Sequence, residues 1–183
     1  MTQLAGARTT LDLLPAAHAW TGDRIAAVGA RDLQRPTPCT DFDLGQLLDH
    51  LAGSIERFTV AVGGDPSPTE GAAQPANRFA GLSERNLEAW AHADLAAAFE
   101  LPLGRIPAPI VAQLNLAEVV IHGWDVGRAM GEAADVPDEL ADTVLAFGHV
   151  FLTDDLRGRS FGPAQPAAPS ASDQMIAFYG RRP

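Results

Sequence analysis

The sequence predicts an all-α fold: an up-and-down four-helix bundle with a short extra helix and an irregular C-terminal arm. Two observations carry that expectation. Apolar residues recur at helical spacing over four or five segments of about 15–24 residues joined by modest loops. Few runs alternate strictly, and no period of about 20–50 residues repeats, which disfavours sandwiches and solenoids.

Residues 8 to 31 read as a first helix, with Leu11, Leu14, Ala17, Ile25 and Val28 keeping the beat and Pro15 placed in a first turn or marking the true start. Arg31 to Thr40 is a connector, because Pro36 and Pro38 disfavour helix locally. Asp41 and Asp43 then suit the positive end of a second helix. Leu44, Leu47, Leu48, Leu51, Ile55, Phe58 and Val62 form its apolar stripe, and Gly63-Gly64 ends it. Asp65 to Pro75 is a loop. A third helix is expected from Ala76 to Phe99, since Ala93 to Ala98 is a good helix-forming run. Leu101 to Ile106, bracketed by prolines and Gly104, is a strand-like excursion. The fourth helix runs from Pro109 to Met130 with Gly131 as its stop, and a fifth from Asp138 to Leu152. The tail from Arg157 is a wrapping arm or short hairpin that must bury Met175-Ile176-Ala177-Phe178-Tyr179.

Length and composition match a single domain spanning residues 1–183, long enough to bury a core. A net charge of −10 argues against nucleic acid or an anionic membrane as partner. All 13 basic residues are arginine, so there is no lysine for Schiff-base chemistry. The single cysteine, Cys39, excludes an intramolecular disulfide and a CxxC zinc or redox pair. With no leader pattern and no apolar run long enough to span a bilayer, a cytoplasmic protein is expected. No nucleophile elbow and no glycine-rich phosphate loop occurs.

On the fourth helix Asn115, Glu118, His122 and Asp125 follow spacings of three, four and three, so they share one stripe. Such a stripe is the solvent face of an amphipathic helix, or it is the inward face of a bundle that chelates a divalent metal. A glutamate and a histidine four apart occur often by chance, so a third ligand is needed. His50, on the second helix, lies just outside the apolar arc beside Ser54, where it is either a partly exposed surface residue or able to reach into a gap between helices. His92 reads as surface or boundary, His149 as structural, and His18 as core or pocket mouth. Cys39 lies at a helix N-terminus that can lower a thiol pKa, although no histidine is near it in sequence.

Thr37-Pro38-Cys39-Thr40-Asp41-Phe42-Asp43-Leu44, then Leu47-Leu48-Asp49-His50-Leu51, then Glu118-Val119-Val120-Ile121-His122-Gly123-Trp124-Asp125-Val126, resemble the DinB/YfiT-like superfamily. The chain is most similar to the actinobacterial branch related to the N-terminal domain of mycothiol-dependent maleylpyruvate isomerase. The closing Phe178-Tyr179-Gly180-Arg181-Arg182-Pro183 also resembles that branch's ending. The resemblance implies a divalent metal held by His50, Glu118 and His122. Many DinB-like relatives carry histidine at the position of Glu118, and the isomerase-like branch carries glutamate. The isomerase has a further C-terminal domain for which 183 residues leave no room, which argues against maleylpyruvate as substrate.

Two imidazoles and one carboxylate leave Zn²⁺ an open position, while Ni²⁺, Fe²⁺ or Mn²⁺ would bind with more ligands. The implied activity is a thiol-using isomerase or transferase: mycothiol, activated as thiolate, adds to a small electrophile. Asn115 and Asp125 are candidates to support the ligands by hydrogen bonds, and Arg128 to bind a substrate carboxylate. The competing expectation is a non-catalytic metal- or ligand-binding helical bundle, which a helix face could bring together as a homodimer.

Overall fold

The computed structural model describes residues 2–66, 74–102, 104–133, 135–154, 156–157 and 161–183, with side chains from residue 10 onward. Its elements are α1 (Thr2–Ile25), a 3-10 turn (Ala30–Asp32), α2 (Leu44–Ala61), α3 (Pro75–His92), β1 (Ala98–Leu101), β2 (Gly104–Pro107), α4 (Ala108–Met130), α5 (Asp138–Phe151) and α6 (Ala171–Phe178). Helices α1 to α4 make the bundle. α1 and α2 each pack against both α3 and α4, so the first two helices face each other across a diagonal. Among the described residues no helix is long and apolar enough to cross a membrane.

The connector before α2 is tied down rather than loose. Arg35 and Leu33 accept hydrogen bonds at their carbonyls from Leu44 N and Gly45 N, at 2.9 and 2.7 Å. Asp43 caps α2 through a reciprocal box: its Oδ1 accepts from Gln46 N at 2.8 Å, and Gln46 Oε1 accepts from Asp43 N at 2.9 Å. The Thr37 hydroxyl lies 2.8 Å from the carbonyl oxygens of both Cys39 and Phe42, which fixes the loop entering α2.

α4 is the central helix, apolar or buried nearly all round. Val111, Leu116, Val119, Val120 and Val126 are wholly or almost wholly inaccessible, and Gly127 is buried as well. It stops where the sequence predicts. Gly131 adopts φ +83°, Gly131 N bonds to Arg128 O at 3.1 Å and Glu132 N to Gly127 O at 2.9 Å, a Schellman ending.

Gly123 sets how closely α1 approaches. A β-carbon there would overlap Thr21 Oγ1 and lie 2.7 Å from Trp20 Cζ3. The Thr21 hydroxyl uses that proximity to donate to Val119 O at 2.9 Å. Gly123→Ala should therefore cost about 1–3 kcal/mol through overpacking, several degrees of Tm. Gly81→Ala is the control: nothing lies within 4 Å of its would-be β-carbon, so a helix-interior alanine should be neutral or stabilising there. Equal Tm changes for the two variants would overturn this account.

Four sequence expectations need correction. Helix α1 ends at Ile25, not near residue 31, and Pro15 lies inside it on the exposed face, where its ring removes one backbone hydrogen bond from the helix. Helix α3 stops at His92 instead of Phe99. The Asp94 carboxylate accepts from Ala96 N at 2.9 Å, and Ala98–Leu101 pairs antiparallel with Gly104–Pro107, so strand pairing overrides the alanine-rich propensity. Of the two forms expected for the tail, an arm or a hairpin, the described residues show the arm, and the apolar run expected to close a hairpin is instead the helix Ala171–Phe178, capped by the Ser170 hydroxyl accepting from Asp173 N at 3.0 Å. The loop expected from Asp65 to Pro75 falls mostly outside the described residues.

Candidate metal centre

His50 projects from α2 and Glu118 and His122 from α4, and the two helices are packed together. One donor atom from each of the three residues falls within 4.8 Å of the other two. His50 Nε2 is 2.8 Å from Glu118 Oε1, and His122 Nε2 is 3.6 Å from the same oxygen. The imidazoles meet edge to face, with centroids 5.0 Å apart and planes at 84°. Phe42 stacks on the outer side of His50 at 5.0 Å. His122 is buried, whereas the side chains of His50 and Glu118 remain 33% and 25% exposed, so the donor cluster opens to solvent on one side.

The imidazole of His122 is pinned from behind. Its Nδ1 lies 3.0 Å from Asp125 Oδ2. An ionised carboxylate only accepts, so Nδ1 carries the proton and Nε2 is the nitrogen turned toward Glu118. Asp125 is itself inaccessible and gripped by Arg181, whose Nε and Nη2 donate to Oδ1 and Oδ2 at 3.2 and 2.9 Å. Burial alone would raise the Asp125 carboxyl, but the His122 hydrogen bond and the Arg181 charge outweigh it and hold it below the usual range. Glu118 shows the same contest. Burial pushes it up, yet the adjoining His122 and the hydrogen bonds from His50 and Ser54 bring it to about 2. The cluster therefore offers an ionised carboxylate between two imidazoles, a donor set that fits a hard-to-borderline divalent cation.

The other candidates lie elsewhere. Asn115 is fully buried, but its amide exchanges hydrogen bonds with Asn86 at 3.0 and 3.3 Å. Asn86 in turn bonds to Thr59 Oγ1 at 3.0 Å and to His18 Nε2 at 3.1 Å. Asn115 thus belongs to a polar layer deep in the bundle that also holds His18. Arg128 is exposed at the end of α4, its guanidinium 5.5 Å from the Trp124 ring centroid. His92 is exposed, as is His149, whose ring lies 4.3 Å from that of Phe178. Cys39 is a free, half-buried thiol whose pKa burial pushes up, not down.

Arg181 has no spacing signal: no residue periodicity links it to Asp125, 56 positions earlier, and its one mark in the sequence is its place in the closing Phe178-to-Pro183 segment.

The model of the mycothiol maleylpyruvate isomerase N-terminal domain family matches residues 14–127, which includes all three donor residues. The chain belongs to this family. Two relatives from two strains of Mycobacterium tuberculosis, both uncharacterised proteins, are 32% identical over 166 residues, covering 86% of this chain and 89% of theirs. Among solved structures, the mycothiol-dependent maleylpyruvate isomerase and a histidine-to-alanine variant of it each match with a TM-score of 0.58 at 15% identity. Each alignment covers 78% of this chain and 69% of the isomerase, and at that identity it shows a shared fold. The chain is thus a DinB-like helical bundle of the mycothiol isomerase type, as its motifs predict.

Proposed function

We propose that residues 1–183 form one metal-binding domain in which His50, Glu118 and His122 hold a divalent cation, Zn²⁺ before Ni²⁺, Fe²⁺ or Mn²⁺, and that the domain is a cytoplasmic thiol-using isomerase or transferase. The observation that carries the reading is the convergence of three donors within 4.8 Å on two facing helices, with the His122 tautomer already fixed by Asp125. Family membership supports mycothiol as the thiol and a small electrophile as its partner.

When bound, a divalent cation at this donor set supplies the positive charge that favours a thiolate over a thiol at an open position. The chain's own residues do the rest. Glu118 stays ionised over the whole physiological range. Asp125 keeps the His122 proton on Nδ1 and so keeps Nε2 available. Phe42 covers one side of His50 and excludes water there. The exposed edge between His50 and Glu118 is the side from which a thiol would enter.

The test is elemental analysis followed by thermal melting with and without mycothiol. Wild-type protein is expected to carry about one metal per chain. Mycothiol should then raise Tm in metal-loaded protein and leave metal-free protein unmoved, since stabilisation grows as RT ln(1 + [L]/Kd). Negligible metal after loading would sink the metal reading. Metal without a thiol-dependent shift or turnover would instead identify a non-catalytic metal-binding bundle.

A further inference from the structure

We propose that Arg181 is a positioning residue of the metal centre: it lies 56 residues along the chain from Asp125, grips that carboxylate from behind, and thereby aims the His122 ring. The inference rests on the metal reading given above and adds a residue to it that lies outside the stretch matched by the family model.

The geometry is that of a fork. Nε and Nη2 reach the two oxygens of one carboxylate at 3.2 and 2.9 Å, and Nη1 donates to Tyr179 O at 3.1 Å. Arg181 is only 8% exposed and Asp125 not at all, so water does not compete for these bonds. With both oxygens held, Asp125 has no freedom to turn, and Oδ2 faces His122 Nδ1 in one direction only. A lysine in place of Arg181 would supply charge but not the planar pair of donors.

The segment that delivers Arg181 is built for a fixed position. Gly180 N bonds to Ala177 O at 3.0 Å and Arg181 N to Ile176 O at 3.1 Å, a Schellman ending for α6. Gly180 takes φ +86°, and a β-carbon there would lie 2.9 Å from both Cα and O of Gly162. No other residue type meets both demands. Tyr179 OH donates to Val144 O at 3.0 Å, fastening the same turn to α5. Arg157 Nη1 donates to Phe178 O at 2.9 Å and holds it from the other side.

Two effects of Arg181 on a bound cation oppose each other. Its positive charge repels the cation, so removing it would tighten binding if charge dominated. Its grip on Asp125 orients a ligand, so removing it would weaken binding if positioning dominated. Residues that orient metal-bound histidines typically change affinity by about 10–100-fold; Arg181 acts on that bond through Asp125, and its near-complete burial leaves no water to take its place on the carboxylate.

The experiment is Zn²⁺ competition against a chromophoric chelator on the folded full chain, for wild type, Arg181→Ala, Arg181→Lys and Arg182→Ala. Arg181→Ala should weaken Zn²⁺ binding by about 10–100-fold, Arg181→Lys by a smaller factor, and the exposed Arg182→Ala not at all. Nitrogen-15 NMR of the histidines should show the His122 Nδ1 resonance shifted in both Arg181 variants, a change that a merely structural loss would not produce in protein that remains folded. Folded Arg181 variants that bind Zn²⁺ as tightly as wild type, or more tightly, overturn the proposal. If Arg181→Ala does not fold, the lysine variant decides on the same criterion. Failure of wild type to bind Zn²⁺ would overturn the metal reading and this inference together, whereas equal affinities would overturn this inference alone.

Discussion

Replacing His122 with alanine is expected to abolish stoichiometric metal binding while leaving the bundle folded. Zinc sites with four protein ligands bind with about 10–16 kcal/mol, so one ligand of a smaller set accounts for on the order of 3 kcal/mol, an affinity loss of at least about 100-fold. The fold should survive because Asp125 keeps the Arg181 fork when the imidazole is gone. What remains is a cavity near a partly open site, costing about 2 kcal/mol. The measurement is metal content after loading and dialysis, together with the Zn²⁺-dependent rise in Tm. Wild type should show both, and His122→Ala neither. His92→Ala, which alters an exposed histidine on α3, should behave as wild type. Retention of one metal per chain by His122→Ala would place the cation elsewhere.

Acid should destabilise the metal-free protein through His18, in a window set by its burial. His18 is 4% exposed. Burial lowers its pKa from 6.5 to about 4, against a smaller upward pull from the Asn86 hydrogen bond. The native state therefore prefers the neutral ring. Below pH 6.5 the unfolded chain takes up a proton that the native state refuses, so stability is complete above that pH and falls as pH drops toward 4. The limiting slope is about 1.4 kcal/mol per pH unit, and the whole interval is worth about 3 kcal/mol. Urea unfolding of metal-free protein at intervals from pH 7 to 4 would measure it. His18→Gln, which keeps an amide donor for Asn86, should lose most of that dependence. Parallel stability curves for the two proteins would show that His18 is not the group responsible.

The parts of the structure that were legible in the sequence are those where one local signal dominates. The Leu44-to-Val62 stripe is long and uninterrupted, and Asp43 and Gln46 supply the capping box that starts it. Gly131 ends α4 because only a residue at ease with positive φ completes the Schellman turn. The Glu118/His122 pair was visible as spacing. Spacing alone does not say whether it faces water, because α4 is apolar on nearly every side and its polar stripe is buried against neighbours except at the partly exposed Glu118.

Tertiary contacts decided the rest. Asn115 and Glu118 share a stripe, yet Asn115 meets Asn86 of α3 while Glu118 meets His50 of α2. A helix rises about 1.5 Å per residue, so the stripe from Asn115 to Asp125 is about 15 Å long and passes different partners along its length. Ala93 to Ala98 has the propensity of a helix and becomes a turn and the start of a strand, because Asp94 satisfies Ala96 N and β2 supplies a pairing edge. Arg181 left no local signature at all, since its partner is 56 residues away.

The close approach of α1 to α4 has a kinetic consequence. Thr21 and Val119 are 98 residues apart, and Gly123 admits α1 only at a single depth. The largest helix–helix interface thus depends on closing a loop of more than half the chain, and its entropy must be overcome before the contact rewards it. Such a non-local pairing raises the contact order, and so slows folding relative to a bundle held only by pairs of helices adjacent in sequence.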